Sequence, residues 1–189
     1  MTRLIIVLLF TELFALTATS QSGNDGAPAI LPRPDDFPTP PQTDKSLFFI
    51  QRNKNKNTIV YDANILPNGS FVRSKPIDVY WLRYSGAGGR TELTWLQRTF
   101  AFGYNDKKDG TGNGFWITLS AYDDRKIHLE KTNDGRPIAT ISINGKYSQL
   151  VNIWVHAVEL GAWPKVLHVD LHGKDMITGK PVFERIFNK

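Results

Sequence analysis

The sequence predicts an all-β, mainly antiparallel domain of about nine strands, arranged as a barrel or a two-sheet sandwich with one short helix. Three observations carry this. Between residues 45 and 189 apolar side chains recur at every second position, the period of a half-buried strand. The alternating runs are short and rich in Val, Ile, Thr and aromatics, which fit a pleated surface. Glycine-containing turns separate them at short intervals, and short turns join antiparallel neighbours.

In chain order the expected strands are 46–52, 57–64, 77–84, 115–122, 126–132, 137–143, 147–159, 165–172 and 181–187. Turn residues lie between them at Pro67, Asn68 and Gly69, at Asn133, Asp134 and Gly135, at Asn144 and Gly145, and at Gly173 and Gly179. The stretch 92–102 differs, because Leu93, Leu96 and Phe100 fall on one helical face. Thr91 suits the N-cap, Glu92 the positive end and Gly103 the C-terminal stop. This helix is expected to pack by those three side chains and to close or cover the sheet. So wide an antiparallel sheet must curl or fold over to bury a shared core.

Upstream, Arg3 precedes an apolar run at 4–16 broken only by Thr11 and Glu12, and Ala18, Thr19 and Ser20 follow. That order reads as a signal peptide, 1–20, cleaved before Gln21, giving a secreted or periplasmic protein with no transmembrane span after processing. Residues 21–44 hold six of the eleven prolines. Proline neither continues a helix nor donates to a ladder, so the segment is expected to be a disordered linker, dispensable for folding. Residues 45–189 then form a single β-rich domain.

There is no cysteine, which excludes disulfides, thiolate metal sites and a cysteine nucleophile. Removing residues 1–44 takes away two basic and five acidic residues, leaving 21 against 13 and a net charge of +8. An exported basic domain is drawn to anionic surfaces. Arg52, Lys54 and Lys56 form the densest patch. The expected partner is an anionic envelope surface or a small amphiphilic ligand, without specific nucleic-acid binding and without a cofactor.

His168, Asp170 and His172 alternate, so on a strand all three share a face opposite Leu167, Val169 and Leu171. Two histidines and a carboxylate are a known metal-ligand set. At ~3.3 Å per residue, however, the histidines stand ~13 Å apart, too far for one ion unless both lean inward. These are weak metal candidates, better explained as a polar outer face, although His128 or Glu184 alongside would strengthen them. Asp106, Asp109, Gly110, Gly112 and Gly114 hint at a calcium loop but lack its acid spacing. Gly86, Gly88 and Gly89 resemble a phosphate loop without its third glycine.

Asp62 and Asn64 share a strand face with Val60, and Arg83 shares one with Val79 and Trp81. Polar groups set in apolar rows need partners when buried. Asp62, Asn64, Trp81, Arg83, Gln97 and Arg98 are therefore the candidate ligand-binding residues, at a junction of helix and sheet. His156, between Trp154 and Val158, reads as a hydrogen-bonded core histidine.

The phrases SLFFIQRNKNKNTIVYDANI at 46–65, VYWLRY at 79–84, LTWLQRTFAFGY at 93–104, INGK at 143–146 and HVDLHGKD with TGKPVFERI at 168–186 together resemble the exported proteins grouped as domain of unknown function 4833. The resemblance implies export but no activity, so no catalytic residue transfers from it. Two functions stay open. One is a non-catalytic binding module whose barrel, lined by Phe49, Trp81, Leu119 and Trp154, holds an apolar or amphiphilic ligand. The other is a hydrolase of an envelope polymer using carboxylates such as Asp62, Asp170 and Glu184.

Overall fold

Alternation over residues 46–187 builds eleven strands. They are β1 (Ser46–Arg52), β2 (Asn55–Ala63), β3 (Ile77–Arg83), β4 (Gly89–Glu92), β5 (Tyr104–Lys108), β6 (Phe115–Leu119), β7 (Tyr122–Lys131), β8 (Pro137–Ile143), β9 (Lys146–Leu160), β10 (Trp163–Asp175) and β11 (Pro181–Phe187). The structure is a computed structural model describing residues 33–84, 88–111, 114–160 and 163–188. The expected signal peptide, 1–20, the first part of the proline-rich stretch, 21–32, and Gly86 and Gly112 lie outside the described residues. The all-β expectation holds. The nine expected strands are present, and β4 and β5, short and polar, are additional.

The long strand β9 organises the sheet. On one edge it pairs with β10 from Ser148 to Leu160. Its other edge is shared: Lys146 to Gln149 pair antiparallel with β8, and Asn152 to Val155 pair parallel with β1. Two wings therefore leave the same edge, β1-β2-β3-β4 and β8-β7-β6-β5. Their apolar faces curl towards each other into a half-barrel, and β11 extends β10 on the far side.

Side chains hold the wings together where no ladder does. The Tyr104 hydroxyl on β5 accepts from the Ile77 amide at 3.2 Å and donates to the Ile77 carbonyl at 3.0 Å. The Phe71 and Phe115 rings meet edge to face at 6.0 Å. Between β4 and β5, the chain segment around Phe102 fills the remaining gap: Phe102 packs edge-on against Trp81 at 5.2 Å, and its carbonyl accepts from Tyr61 Oη at 2.8 Å.

That segment corrects the expected helix. Thr91 and Glu92 belong to β4, paired with Trp81 and Tyr80. The helix begins after Thr94, whose hydroxyl accepts from the Gln97 amide while the Gln97 side chain accepts from the Thr94 amide. One α-turn (Trp95–Gln97) passes into a π-turn (Arg98–Phe102). The later start and the wider turn rotate the stripe, burying Leu93, Ala101 and Phe102 and leaving Leu96 39% and Phe100 41% exposed. Gly103 does end the helix, in extended backbone (φ −75°) rather than the left-handed region. Glycine is needed there for space, since a Cβ would lie 1.9 Å from the Arg98 carbonyl oxygen.

The proline-rich segment also departs from expectation where it is described. Residues 33–44 lie as a strap on the outer face of β1 and β9. Arg33 Nε donates to Gln51 Oε1 at 2.8 Å, Gln51 Nε2 donates to the Pro38 carbonyl at 2.6 Å, and Phe37 meets Trp154 edge to face at 4.8 Å. Gln51 and Trp154 face away from the core, and the strap satisfies the amide and covers the indole.

Candidate functional site

The half-barrel encloses an apolar cavity of about 60 Å³ lined by Ile59, Phe102, Leu119, Ile153, Leu171 and others, with Arg52 at its wall. A cavity that holds benzene needs about 150 Å³, so this interior is core rather than a ligand chamber. Of the residues expected to line such a chamber only Leu119 does so. Trp81 is buried in the core cluster, while Phe49 and Trp154 stand outside that cluster on the opposite sheet face.

The outer face of β5, β6 and β7 carries a larger concavity, about 400 Å³, within the usual range of ligand sites. Pairing explains its lining. Lys107 sits opposite Trp116, and Trp116 opposite His128; Asn105 sits opposite Thr118. Lys108 and Lys126 complete the basic rim, and Asp106 and Asp109 also line the groove. The period of two puts Trp116 on the solvent phase of Phe115–Leu119, where its ring is 40% exposed. The indole lies against the His128 imidazole at 4.4 Å and 25°. Among the described residues Lys107, Lys108 and Lys126 form no ion pair.

His128 is fixed from both sides. Its Nε2 is 3.0 Å from Asp109 Oδ2, and its Nδ1 is 3.7 Å from Glu130 Oε2. Burial raises the Asp109 carboxyl, but hydrogen bonds from His128 and Thr111 outweigh this and bring it down to about 2. With that carboxylate taken up by His128 and Thr111, the calcium-loop reading loses its central ligand. Gly114 lets the two side chains meet, because a Cβ there would come within 2.5 Å of Asp109 Oδ2 and 3.0 Å of His128 Nε2. Both imidazole nitrogens face carboxylates, and the ring so held backs the Trp116 indole.

The six residues expected at the helix and sheet junction are divided by the strand pleat. Trp81 and Gln97 do meet, indole Nε1 donating to Oε1 at 3.2 Å. Asp62 lies on the other face and accepts from Tyr80 Oη at 2.8 Å, so it forms no network with Arg83, which shares the Trp81 face. Arg98 reaches Glu92 at 2.6 Å. Asn64 is tied by its backbone, its amide donating to Pro76 and its carbonyl accepting from Val72. These contacts close the fold and form no common cleft.

The row of His168, Asp170 and His172 shares one face, as expected, but it is not a solvated outer surface. His168 is 2% and Asp170 1% exposed. Arg185 on β11 binds Asp170 bidentately, at 2.6 and 2.7 Å, removing the carboxylate from any metal. His168 stacks on His156, which is therefore packed by ring contact, and His172 leans on Phe183 at 5.1 Å. Burial and the Arg185 charge depress the His168 pKa; burial, opposed by Asp170 and aided by Arg33 and Arg185, depresses that of His172. Among the described residues no group of three His, Asp or Glu is placed to hold a metal ion.

The carboxylates proposed for hydrolysis do not converge either. Glu184 pairs with Arg125 and accepts from the Asn144 amide at 2.6 Å. Its strand position opposite Leu171 puts it on the reverse face from Asp170. The groove residues Lys107, Lys108, Trp116 and Lys126 were not among the sequence candidates. The signal that could have found them is a tryptophan at a polar position of an alternating strand.

A family model described as Domain of unknown function (DUF4833) matches residues 48–185. No curated protein and no solved structure matches the chain. Among the described residues no helix is long and apolar enough to cross a membrane.

Proposed function

Since the chain belongs to the domain of unknown function 4833 family, whose description assigns no activity, we propose from the chemistry of the groove that it is an exported, non-catalytic module binding an anionic saccharide chain. The observation that carries the reading is the juxtaposition of a half-exposed indole with three lysines that form no ion pair among the described residues, in a groove of about 400 Å³. The flat apolar face of a sugar ring packs on an indole, and ammonium groups attract its carboxylate or sulfate substituents. Asn105, Thr118 and Asp106 suit hydroxyl groups, as donors and acceptors.

The same inventory argues against nucleic acid. Among the described residues the groove offers a single aromatic platform, where a run of bases would need several, and contains no arginine, the residue suited to phosphate and base edges. The basic balance of the domain supports attraction to acidic polymers in general, and the aromatic platform narrows the class to rings.

Native gels cast with polygalacturonate, with neutral dextran or with single-stranded DNA would test the class. Retardation by polygalacturonate alone is expected. Equal retardation by all three, or by DNA alone, would refute the saccharide reading.

A further inference from the structure

We infer that the β10–β11 hairpin tip is a membrane-docking element that inserts Met176 and Ile177 into the interface of an anionic bilayer. This surface is separate from the saccharide groove, and the inference stands without it. Ile177 is 91% and Met176 40% exposed. The Ile177 side chain, on the turn of a basic domain, meets water on nearly all sides, and Met176 beside it does so in part.

The tip is built rather than loose. Asp175 Oδ1 accepts from the Ile177 and Thr178 amides at 2.8 and 3.1 Å, the Gly179 amide donates to the Asp175 carbonyl at 2.8 Å, and Asp175 N donates to the Lys180 carbonyl at 2.9 Å. The Met176 amide donates to the Tyr147 carbonyl at 3.0 Å, which anchors the tip to the start of β9. Tyr147 beside it is 50% exposed, its hydroxyl held by Glu130 and Thr140 on the sheet face.

Charge identifies the occupant. Lys146, Lys174 and Lys180 are exposed around the tip, and Lys174 and Lys180 form no ion pair among the described residues. Asp175, the acid of the turn itself, is 9% exposed, with its oxygens turned to the turn amides and to Lys146 at 3.9 Å, and Glu130 is engaged by the Tyr147 hydroxyl. An apolar point ringed by ammonium groups matches an acidic membrane surface, where each lysine near the headgroups strengthens binding roughly fivefold, from ~1 kcal/mol per basic residue. A second copy would bring the same lysines against each other, so the symmetrical tip-to-tip dimer is disfavoured.

Sedimentation of the protein with vesicles of phosphatidylcholine containing phosphatidylglycerol, against phosphatidylcholine alone, tests this. Binding to the acidic vesicles only is expected. Met176→Ser with Ile177→Ser should weaken it at least about tenfold, and Lys174→Gln with Lys180→Gln should weaken it similarly. These positions are exposed, so an unchanged melting temperature accompanies each, and Trp116→Ala should bind vesicles like the parent. The inference is overturned if the parent ignores acidic vesicles, if the serine variant binds as well as the parent, or if the serine substitutions abolish self-association.

Discussion

His168 lies flat against His156, with ring planes 7° apart and centroids at 4.8 Å, in a row that continues to Phe187. The guanidinium of Arg185 is close by on the same face, and no hydrogen-bond partner reaches His168 Nε2 among the described residues. A proton on this ring would be buried and would face the Arg185 guanidinium, and Asp170 Oδ2 at 3.9 Å offsets this only in part.

Stability should therefore fall in mild acid. His168 and His172 have folded-state pKa values below their ordinary value, so below about pH 6.5 the unfolded chain binds protons that the folded chain refuses. The stability contributed by their neutral forms is present above that pH and is lost as pH falls towards the folded values. The slope approaches ~1.4 kcal/mol per pH unit for each fully refused proton. Urea titrations from pH 7.5 to 5 should show this loss and a shallower slope in His168→Gln. The Asp109 carboxylate, at about 2, contributes its own loss only at lower pH.

The buried ion pair gives a sharper test. Arg185→Met leaves the Asp170 carboxylate, 1% exposed, without its bidentate partner, and should cost about 3–5 kcal/mol. Adding Asp170→Asn should restore much of that. Chemical denaturation of the single and double variants measures the recovery; no recovery would mean that Arg185 acts by packing alone.

Phe37 should matter although it belongs to the proline-rich segment. Phe37→Ala uncovers the Trp154 ring, and a loss of about 1–2 kcal/mol is expected. Removing residues 1–32 should leave the melting temperature unchanged, while removal through residue 44 should lower it. Thermal unfolding of the two truncations separates a docked strap from a passive tether.

The helical segment reverses an expectation drawn from periodicity. Phe102→Ala should destabilise by about 3–5 kcal/mol, whereas Leu96→Ala, at a 39% exposed position, should cost under about 1 kcal/mol. Equal effects would place Leu96 in the core after all.

The strands were legible because alternation and turn chemistry agree: Ser46–Arg52, Pro137–Ile143 and Pro181–Phe187 have the bounds that the pattern implies. The strands β4 and β5 were hidden, since Gly89–Glu92 and Tyr104–Lys108 pair at sheet edges and carry few apolar residues. The helix phase was misread because a three-residue stripe cannot register a π-turn, and Thr94 with Gln97 formed a better capping box than Thr91. Residue spacing showed that His168, Asp170 and His172 share a face. It could not show that Arg185, fifteen residues away from Asp170 in sequence, arrives from the next strand to occupy the carboxylate. The groove was out of reach for the same reason, since Lys107, Trp116 and Lys126 meet only through the pairing of three strands.

Calorimetric titration of an oligogalacturonate into the parent, Trp116→Ala and Lys107→Ala with Lys126→Ala tests the saccharide reading most directly. The parent should bind with an affinity that weakens as salt is raised. Trp116→Ala should lose about tenfold, on the order of 1–2 kcal/mol of ring contact. The lysine variant should lose affinity together with its salt dependence, and melting temperatures should stay unchanged. Undiminished binding by Trp116→Ala, or no binding by the parent at low salt, would contradict the reading.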